Sequence, residues 1–303
     1  MSDADPSPLA RLVAAARENP SALIVVTGPT ASGKSDLALA AAEALGAEIV
    51  GADSVQIVRH FDLGSGKPTP AECARVPHHL IDAVDPHDDI DASRFAAMAR
   101  EAIADIERRG RRAIVTGGTY LWIRALVFGL VEAPPADEEV RREHRAFAER
   151  EGRPALHARL RAVDPASADR LHPNDVVRVS RALEVFETSG LRMSELQAAH
   201  GFRDAARDTR MFALQHSPEA LTARIEARTR AWLAGGFVAE VEDLLARGYE
   251  GTRAMGSVGY REVAMHLRGE LPASELEGAI VRATRLYARR QRTFLKQAPI
   301  TWL

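Results

Sequence analysis

The sequence predicts an α/β fold, a parallel sheet with flanking helices interrupted by a mostly α-helical insertion, and three observations carry that reading. An apolar run, Ala22-Leu23-Ile24-Val25-Val26, leads into a glycine-bounded loop and then into the helix-forming stretch Ser35 to Leu45. The same alternation of strand and helix continues to about residue 130, which calls for βαβ crossovers and parallel pairing. At Pro134-Pro135 the character changes to helical segments of dense charge, running through Arg141-Arg142-Glu143-His144-Arg145 to about Arg192.

The loop after the first strand is Gly28-Pro29-Thr30-Ala31-Ser32-Gly33-Lys34-Ser35, a complete G-x4-G-K-[ST] pattern. Its glycines let consecutive backbone N–H groups curl around phosphate oxygens, and the following helix offers its positive end. Lys34 adds charge, and Ser35 can ligate Mg²⁺. The core is therefore P-loop NTPase-like and holds a polyphosphate, and the loop leaves open which one, ATP among them, and what attacks it. Ala47-Glu48-Ile49-Val50 is the second strand and ends at Gly51-Ala52-Asp53-Ser54. A helix is expected at about 93–108, then the third strand Ala113-Ile114-Val115, which ends at Thr116-Gly117-Gly118-Thr119. Met211-Phe212-Ala213-Leu214 returns the chain to the sheet, and the remainder is mostly helical. Ligands of open α/β sheets bind at the carboxyl ends of the strands, so these loops should converge on one crevice. The expected division is a flexible segment 1–20, a core of 21–133 and 206–303, and an insertion of 134–205.

Composition sets the limits. With 303 residues and 46% apolar content there is ample material for a core. The single cysteine, Cys73, excludes an internal disulfide. No apolar stretch follows a basic start, and none approaches membrane-spanning length, so a cytoplasmic protein is expected. The net charge of −2 hides local patches such as Arg108-Arg109-Gly110-Arg111-Arg112.

Several residues are candidates for chemistry. Asp53, just past an apolar strand, suits a water-mediated Mg²⁺ ligand or a proton acceptor beside bound phosphates, with a turn-capping Asp as the alternative. Lys67, after Gly64-Ser65-Gly66, offers a second cation or a plain surface turn. Gly117-Gly118 permits close backbone approach. His78, His79 and His87 lie among aspartates, but their spacing fits no metal pattern and a solvated loop is expected. Arg282, Arg285, Arg289, Arg292 and Lys296 follow 3-4-3-4 spacing and would form one basic stripe along a helix, suited to a phosphate backbone.

Taken with Pro77-His78-His79, His172-Pro173-Asn174-Asp175, Ser180 to Val185, Gly259-Tyr260-Arg261-Glu262 and Thr284 to Gln291, these motifs resemble the tRNA dimethylallyltransferases from about residue 22 to 296. The resemblance implies transfer of a dimethylallyl group from its diphosphate to N6 of adenosine 37 in tRNAs that read codons starting with U. It implies that Gly28 to Ser35 bind the diphosphate with Thr30 near the leaving oxygen, assisted by Lys34 and Arg228, and that Asp53 is the general base. It implies further that Asp53, Ser54, Val55 and Gln56 hold a flipped base and that Thr119 lies at the reacting region. Contacts to tRNA would come from Arg141, from Val177, Arg178, Val179, Ser180 and Arg181, and from Gly256, Ser257, Val258, Gly259, Tyr260 and Arg261. The insertion would grip the anticodon stem-loop, Mg²⁺ at Ser35 would be the cofactor, and the enzyme would work as a monomer. Two positions depart from the family pattern: Val58 stands where an aromatic is usual, and Ser65-Gly66 replaces a common Thr-Ala. The alternative is a small-molecule or nucleoside kinase with the same loop, and a third class is a nucleotide-binding switch. Asp-Ser-x-Gln with Gly-Gly-Thr and the basic stripe has no obvious purpose in a kinase.

Overall fold

A computed structural model of the chain describes residues 6–201, 205–296 and 298–303. Its sheet is six-stranded and wholly parallel, in the order β3-β2-β4-β1-β5-β6, for β1 (Leu23–Thr27), β2 (Ala47–Gly51), β3 (His78–His79), β4 (Arg112–Gly117), β5 (Thr209–Ala213) and β6 (Ile300–Trp302). Every residue of β1 and β2 is buried, as expected of strands covered by helices on both faces. Ile24, Ile49 and Ile114 pair across β1, β4 and β2, so the apolar runs in the sequence become one layer of the core.

The phosphate-loop helix, Lys34–Leu45, follows a residue, Gly33, held at φ 85. Only glycine adopts that left-handed value without strain, which is why the loop can turn sharply into the helix. Alanines and leucines of this helix pack on β1, β2 and β4. Another crossover helix, Ala92–Arg108, starts at Asp91, whose carboxylate accepts from the Arg94 backbone N–H at 2.8 Å.

The chain divides into two compact units, residues 1–127 with 206–303 and residues 128–205. Among the described residues the second unit holds five helices, Glu138–Glu151, Arg153–Val163, Pro165–Arg170, Val176–Ser189 and Met193–His200. It has a core of its own, built on Leu156, Leu160, Val179 and Leu183. Its boundary falls at 128 rather than 134, because the helix Tyr120–Phe128 runs on after β4 before the prolines are reached.

Two expectations are corrected. The segment 1–20 is not wholly flexible: Ser7 caps a helix, Pro8–Glu18, whose Leu12 and Ala16 are fully buried in the main core, while residues 1–5 lie outside the described residues. His78 and His79 are not a solvated loop but β3, where His79 Nε2 meets the buried Glu48 carboxylate at 2.7 Å. The C-terminal stretch adds β6, beside β5.

Candidate active site

The strand order sets the loops side by side: the Asp53 turn after β2, Gly118 after β4, the phosphate loop after β1 and His216 after β5. Close packing ties them together. A Cβ on Gly117 would stand 2.0 Å from the Ala52 carbonyl oxygen, so the turn bearing Asp53 crosses directly over the end of β4. Thr119 Oγ1 then accepts from the Ser54 backbone N–H at 3.0 Å and lies 3.3 Å from Ser54 Oγ.

Asp53 uses one carboxylate oxygen, Oδ1, to accept the N–H groups of Val55 (2.9 Å) and Gln56 (3.3 Å), which fixes the turn. Its capping role and its candidacy as a base are thus compatible, because Oδ2 carries none of the hydrogen bonds of the described residues. Gln56 donates its side-chain amide to the carbonyls of Ser65 (3.1 Å) and Gly66 (2.9 Å), locking the Gly64-to-Gly66 turn against this loop. Lys67 is no second cation at the site: its ammonium is spent on Asp62, Asp82 and the Val58 carbonyl.

The phosphate loop is bound from behind. Arg224 Nε donates to the Ala31 carbonyl at 2.7 Å, and His216 Nε2 meets the Ser32 carbonyl at 2.7 Å. Arg228 Nη2 donates to Thr30 Oγ1 at 2.7 Å, and its guanidinium stacks over Trp232 with 4.5 Å to the ring centroid. Burial pulls the Lys34 ammonium down to about 8, against the opposing charge of Asp53, with Arg228 lowering it further. Burial likewise lowers Arg228, to about 10, again opposed by Asp53. The Tyr287 phenol is pushed up to about 12 by burial and then by Asp53. These mutual influences put Lys34, Arg228, Asp53 and Tyr287 in one electrostatic neighbourhood. Two polar atoms here, Ser32 Oγ and Arg228 Nε, are buried without a hydrogen-bond partner, which is expensive in a folded protein unless a ligand supplies one.

The residues expected to meet RNA divide by their surroundings. Val179, Ser180, Gly259 and Tyr260 are buried, so their side chains are not available to a ligand. Ser180 Oγ meets His144 Nδ1 at 3.0 Å, and the Tyr260 hydroxyl donates to Glu240 at 2.6 Å. Arg141 and Arg181 both hold Glu184, a carboxylate with no solvent exposure, and Arg181 also donates to the Pro134 carbonyl at 2.6 Å. Arg178 pairs with Asp175 and Arg261 with Glu262. Val177, by contrast, is 80% exposed, and Gly256 is also exposed, with Ser257 and Val258 half-buried. The basic stripe lies on the helix Ala273–Leu295 as expected. Arg282, Arg285 and Arg289 are exposed and Arg292 half-buried, Lys296 caps the helix end, and none of the five forms an ion pair among the described residues. The exposed Leu286 and Phe294 are interleaved with them.

Sequence reasoning gave no role to Gln291, Arg224, His216 or Tyr287. For Gln291 a signal existed: it shares the buried row Thr284, Ala288 and Leu295 of an amphipathic helix, and a polar residue on such a face needs a partner.

Fold and site together define a phosphate-loop protein of transferase type, in which a carboxylate at the end of β2, with β4 between it and β1, lies in the field of Lys34 and Arg228. Comparison with known proteins narrows this. The family model described as IPP transferase matches residues 56–298. The chain is 60% identical over 284 residues to the tRNA dimethylallyltransferase of Sorangium cellulosum, covering 94% of this chain and 90% of that protein. It is 52% identical to that of Anaeromyxobacter dehalogenans, covering 93% and 94%. The full-length tRNA isopentenylpyrophosphate transferase of Bacillus halodurans is 32% identical with a TM-score of 0.69, covering 93% of this chain and 89% of that one. A eukaryotic dimethylallyltransferase, solved while acting on tRNA, superposes with a TM-score of 0.78 at 26% identity over 93% and 73% of the two chains. The chain belongs to the IPP transferase family, the tRNA dimethylallyltransferases.

Proposed function

We propose that this protein transfers a dimethylallyl group from dimethylallyl diphosphate to N6 of adenosine 37 in tRNAs reading codons that start with U, releasing diphosphate and leaving N6-(dimethylallyl)adenosine. The observation that carries this reading is the placement of Asp53, with one oxygen spent on its own turn and the other uncommitted, within the field of Lys34 and Arg228.

The adenine N6 is a poor nucleophile, since its lone pair is delocalised into the ring. As that pair forms the bond to C1 of the dimethylallyl group, the C1–O bond breaks, its electrons pass to the diphosphate oxygen, and the N6 proton passes to Asp53. Charge grows on the leaving diphosphate, where Lys34, Arg228 and the backbone N–H groups of Gly33, Lys34 and Ser35 stabilise it more in the transition state than in the ground state. Ser32 Oγ and Arg228 Nε gain in the diphosphate oxygens the partners they otherwise lack. Ser54, Val55, Gln56 and Thr119 line the side from which the extruded base arrives.

For Mg²⁺ the residues fit in one specific way. The exposed Ser35 is an oxygen donor at the helix start, and no group of three or more His, Cys, Asp or Glu among the described residues makes a cage. Ser35 would hold such an ion together with the substrate, and the ion would supply further neutralisation of the leaving charge. The helical unit 128–205 grips the anticodon stem-loop in this reading, with Val177 and its neighbours as its exposed contacts, and the exposed arginines of the helix Ala273–Leu295 follow the RNA backbone. Among the described residues no helix is long and apolar enough to cross a membrane, and we assign a monomer working in the cytoplasm.

The kinase alternative has no observation in its favour. Incubation with labelled dimethylallyl diphosphate and unmodified tRNA, and separately with ATP and nucleoside acceptors, tests the choice. Label should enter tRNA; turnover of ATP with acceptors alone would refute the transferase.

A further inference from the structure

Thr30 is held at two points. Its hydroxyl oxygen accepts from Arg228 Nη2 at 2.7 Å, and its backbone N–H donates to Gln291 Oε1 at 2.8 Å. The same Gln291 side chain donates from Nε2 to the Gly118 carbonyl at 2.8 Å. Gln291 is only 7% exposed, and a Cβ on Gly118 would stand 2.6 Å from its Nε2 and 3.6 Å from Lys34 Nζ. The glycine after β4 is therefore what lets the amide of Gln291 reach both loops at once. Only a side chain with a donor and an acceptor at its tip can make this bridge, and a glutamine has the reach from the helix Ala273–Leu295.

The two contacts have a joint consequence. Because Oγ1 of Thr30 is already an acceptor, its own O–H proton is left to donate, and the direction in which it donates is set by where the backbone of Thr30 is pinned. We propose that Gln291 is a positioning residue, which with Arg228 orients the Thr30 hydroxyl to donate a hydrogen bond to the diphosphate oxygen as the C1–O electron pair localises on it. This rests on the transferase reading above. The Gln291 amide is engaged at both ends, with Thr30 and with Gly118. It acts through Thr30, and its benefit appears as the leaving oxygen gains charge, so it belongs to the chemical step rather than to binding.

A double-mutant cycle between Gln291 and Thr30 tests this. Gln291→Met removes donor and acceptor at nearly constant volume, and Gln291→Asn keeps both but withdraws them by one methylene. Single-turnover transfer should slow by about 100-fold in Gln291→Met, the cost of a displaced catalytic group. Inorganic pyrophosphate affinity and the thermal unfolding midpoint should stay near wild type. In a Thr30→Ala background the same Gln291→Met change should cost less than about threefold, because the group it orients is gone. Equal costs in both backgrounds would overturn the proposal. So would pyrophosphate affinity falling in step with the rate, or failure of both Gln291 variants to fold, since either makes the residue a brace of the loop. Amide hydrogen exchange at Thr30 needs no turnover and reads the pin separately: slow in wild type, faster in Gln291→Met. If wild type transfers nothing to tRNA, the functional reading fails, while unchanged exchange at Thr30 would still overturn the pin.

Discussion

At the strand ends and in the insertion, cations meet opposite fates. Arg228 reaches Thr30 Oγ1 and the Trp232 ring, and Lys34 reaches only the Pro29 carbonyl at 3.5 Å; neither is ion-paired among the described residues. Arg141 and Arg181 converge instead on Glu184, fully enclosed, which also accepts the Asp137 N–H at the start of the helix Glu138–Glu151. The first arrangement bears the cost of partly buried, unpaired positive charge, which a folded protein tolerates where an anion will arrive. The second spends its charge on holding helices together. A cation is thus read as functional by what it lacks, and partners across the fold are invisible to spacing along the chain.

Breaking the strand-end site should have the largest effect. Asp53→Asn keeps the turn-capping carbonyl oxygen, so both substrates should bind nearly normally while transfer falls roughly 100- to 10,000-fold in single-turnover assays. Rescue by extra Mg²⁺ would instead make Asp53 an organiser of the ion. Lys34→Ala or Arg228→Ala should each cost about 100-fold or more in turnover without lowering the unfolding midpoint, since each removes an unpaired, partly buried cation. Loss of stability with preserved turnover would erase the contrast between the two regions.

The insertion should respond in the opposite sense. Glu184→Ala strands two guanidiniums and should destabilise by about 3 kcal/mol in denaturant unfolding, at the lower end for a broken buried pair because both arginines retain some access to water. Burial alone would raise the Glu184 carboxyl, but hydrogen bonds from Arg181, the Asp137 amide and Arg141 outweigh it and hold the pKa below its ordinary value. The unfolded state then binds more protons, so this stabilisation is present above about pH 4.5 and is lost as pH falls through the lower folded value. Glu184→Gln should blunt that acid sensitivity, as followed by unfolding across pH.

Salt dependence sharpens the comparison further. Arg285→Ala or Arg289→Ala, from the unpaired stripe, should lower the slope of log tRNA affinity against log salt by about 1 each. Arg181→Ala should leave it unchanged. The effect of pH near neutrality is the smallest: with Lys34 at about 8, kcat/KM for dimethylallyl diphosphate should begin to decline only as pH rises past that value, because the discharged amine no longer attracts the diphosphate. In Lys34→Arg that decline should disappear.

Much of this core is legible in the residues. The apolar runs at Leu23, Ile49 and Ile114 give the central strands, and the glycines and Lys34 fix the phosphate loop. Asp53 lies at the crevice because it follows a strand, a position that sequence order alone supplies. The two- and three-residue strands β3 and β6 leave no periodicity to detect, and they exist only because β2 and β5 offer free edges. The helix Pro8–Glu18 did carry a signal, Ser7-Pro8 ahead of Leu9, Leu12 and Ala16, which is a capped amphipathic start. Burial of Ser180 and Tyr260 had none, since His144 and Glu240 are distant in sequence. The bridge made by Gln291 spans 261 positions to Thr30 and 173 to Gly118, beyond any local pattern.

The most direct measurement is nucleoside analysis of unmodified tRNA after reaction with the purified protein, dimethylallyl diphosphate and Mg²⁺, by nuclease digestion and mass spectrometry. Expected is one dimethylallyl addition per tRNA, on N6 of adenosine 37, in tRNAs reading codons that start with U, with stoichiometric release of diphosphate and with product from Asp53→Asn forming roughly 100- to 10,000-fold more slowly. Addition at another nucleoside, or an unmodified tRNA from enzyme that turns over ATP, would contradict it.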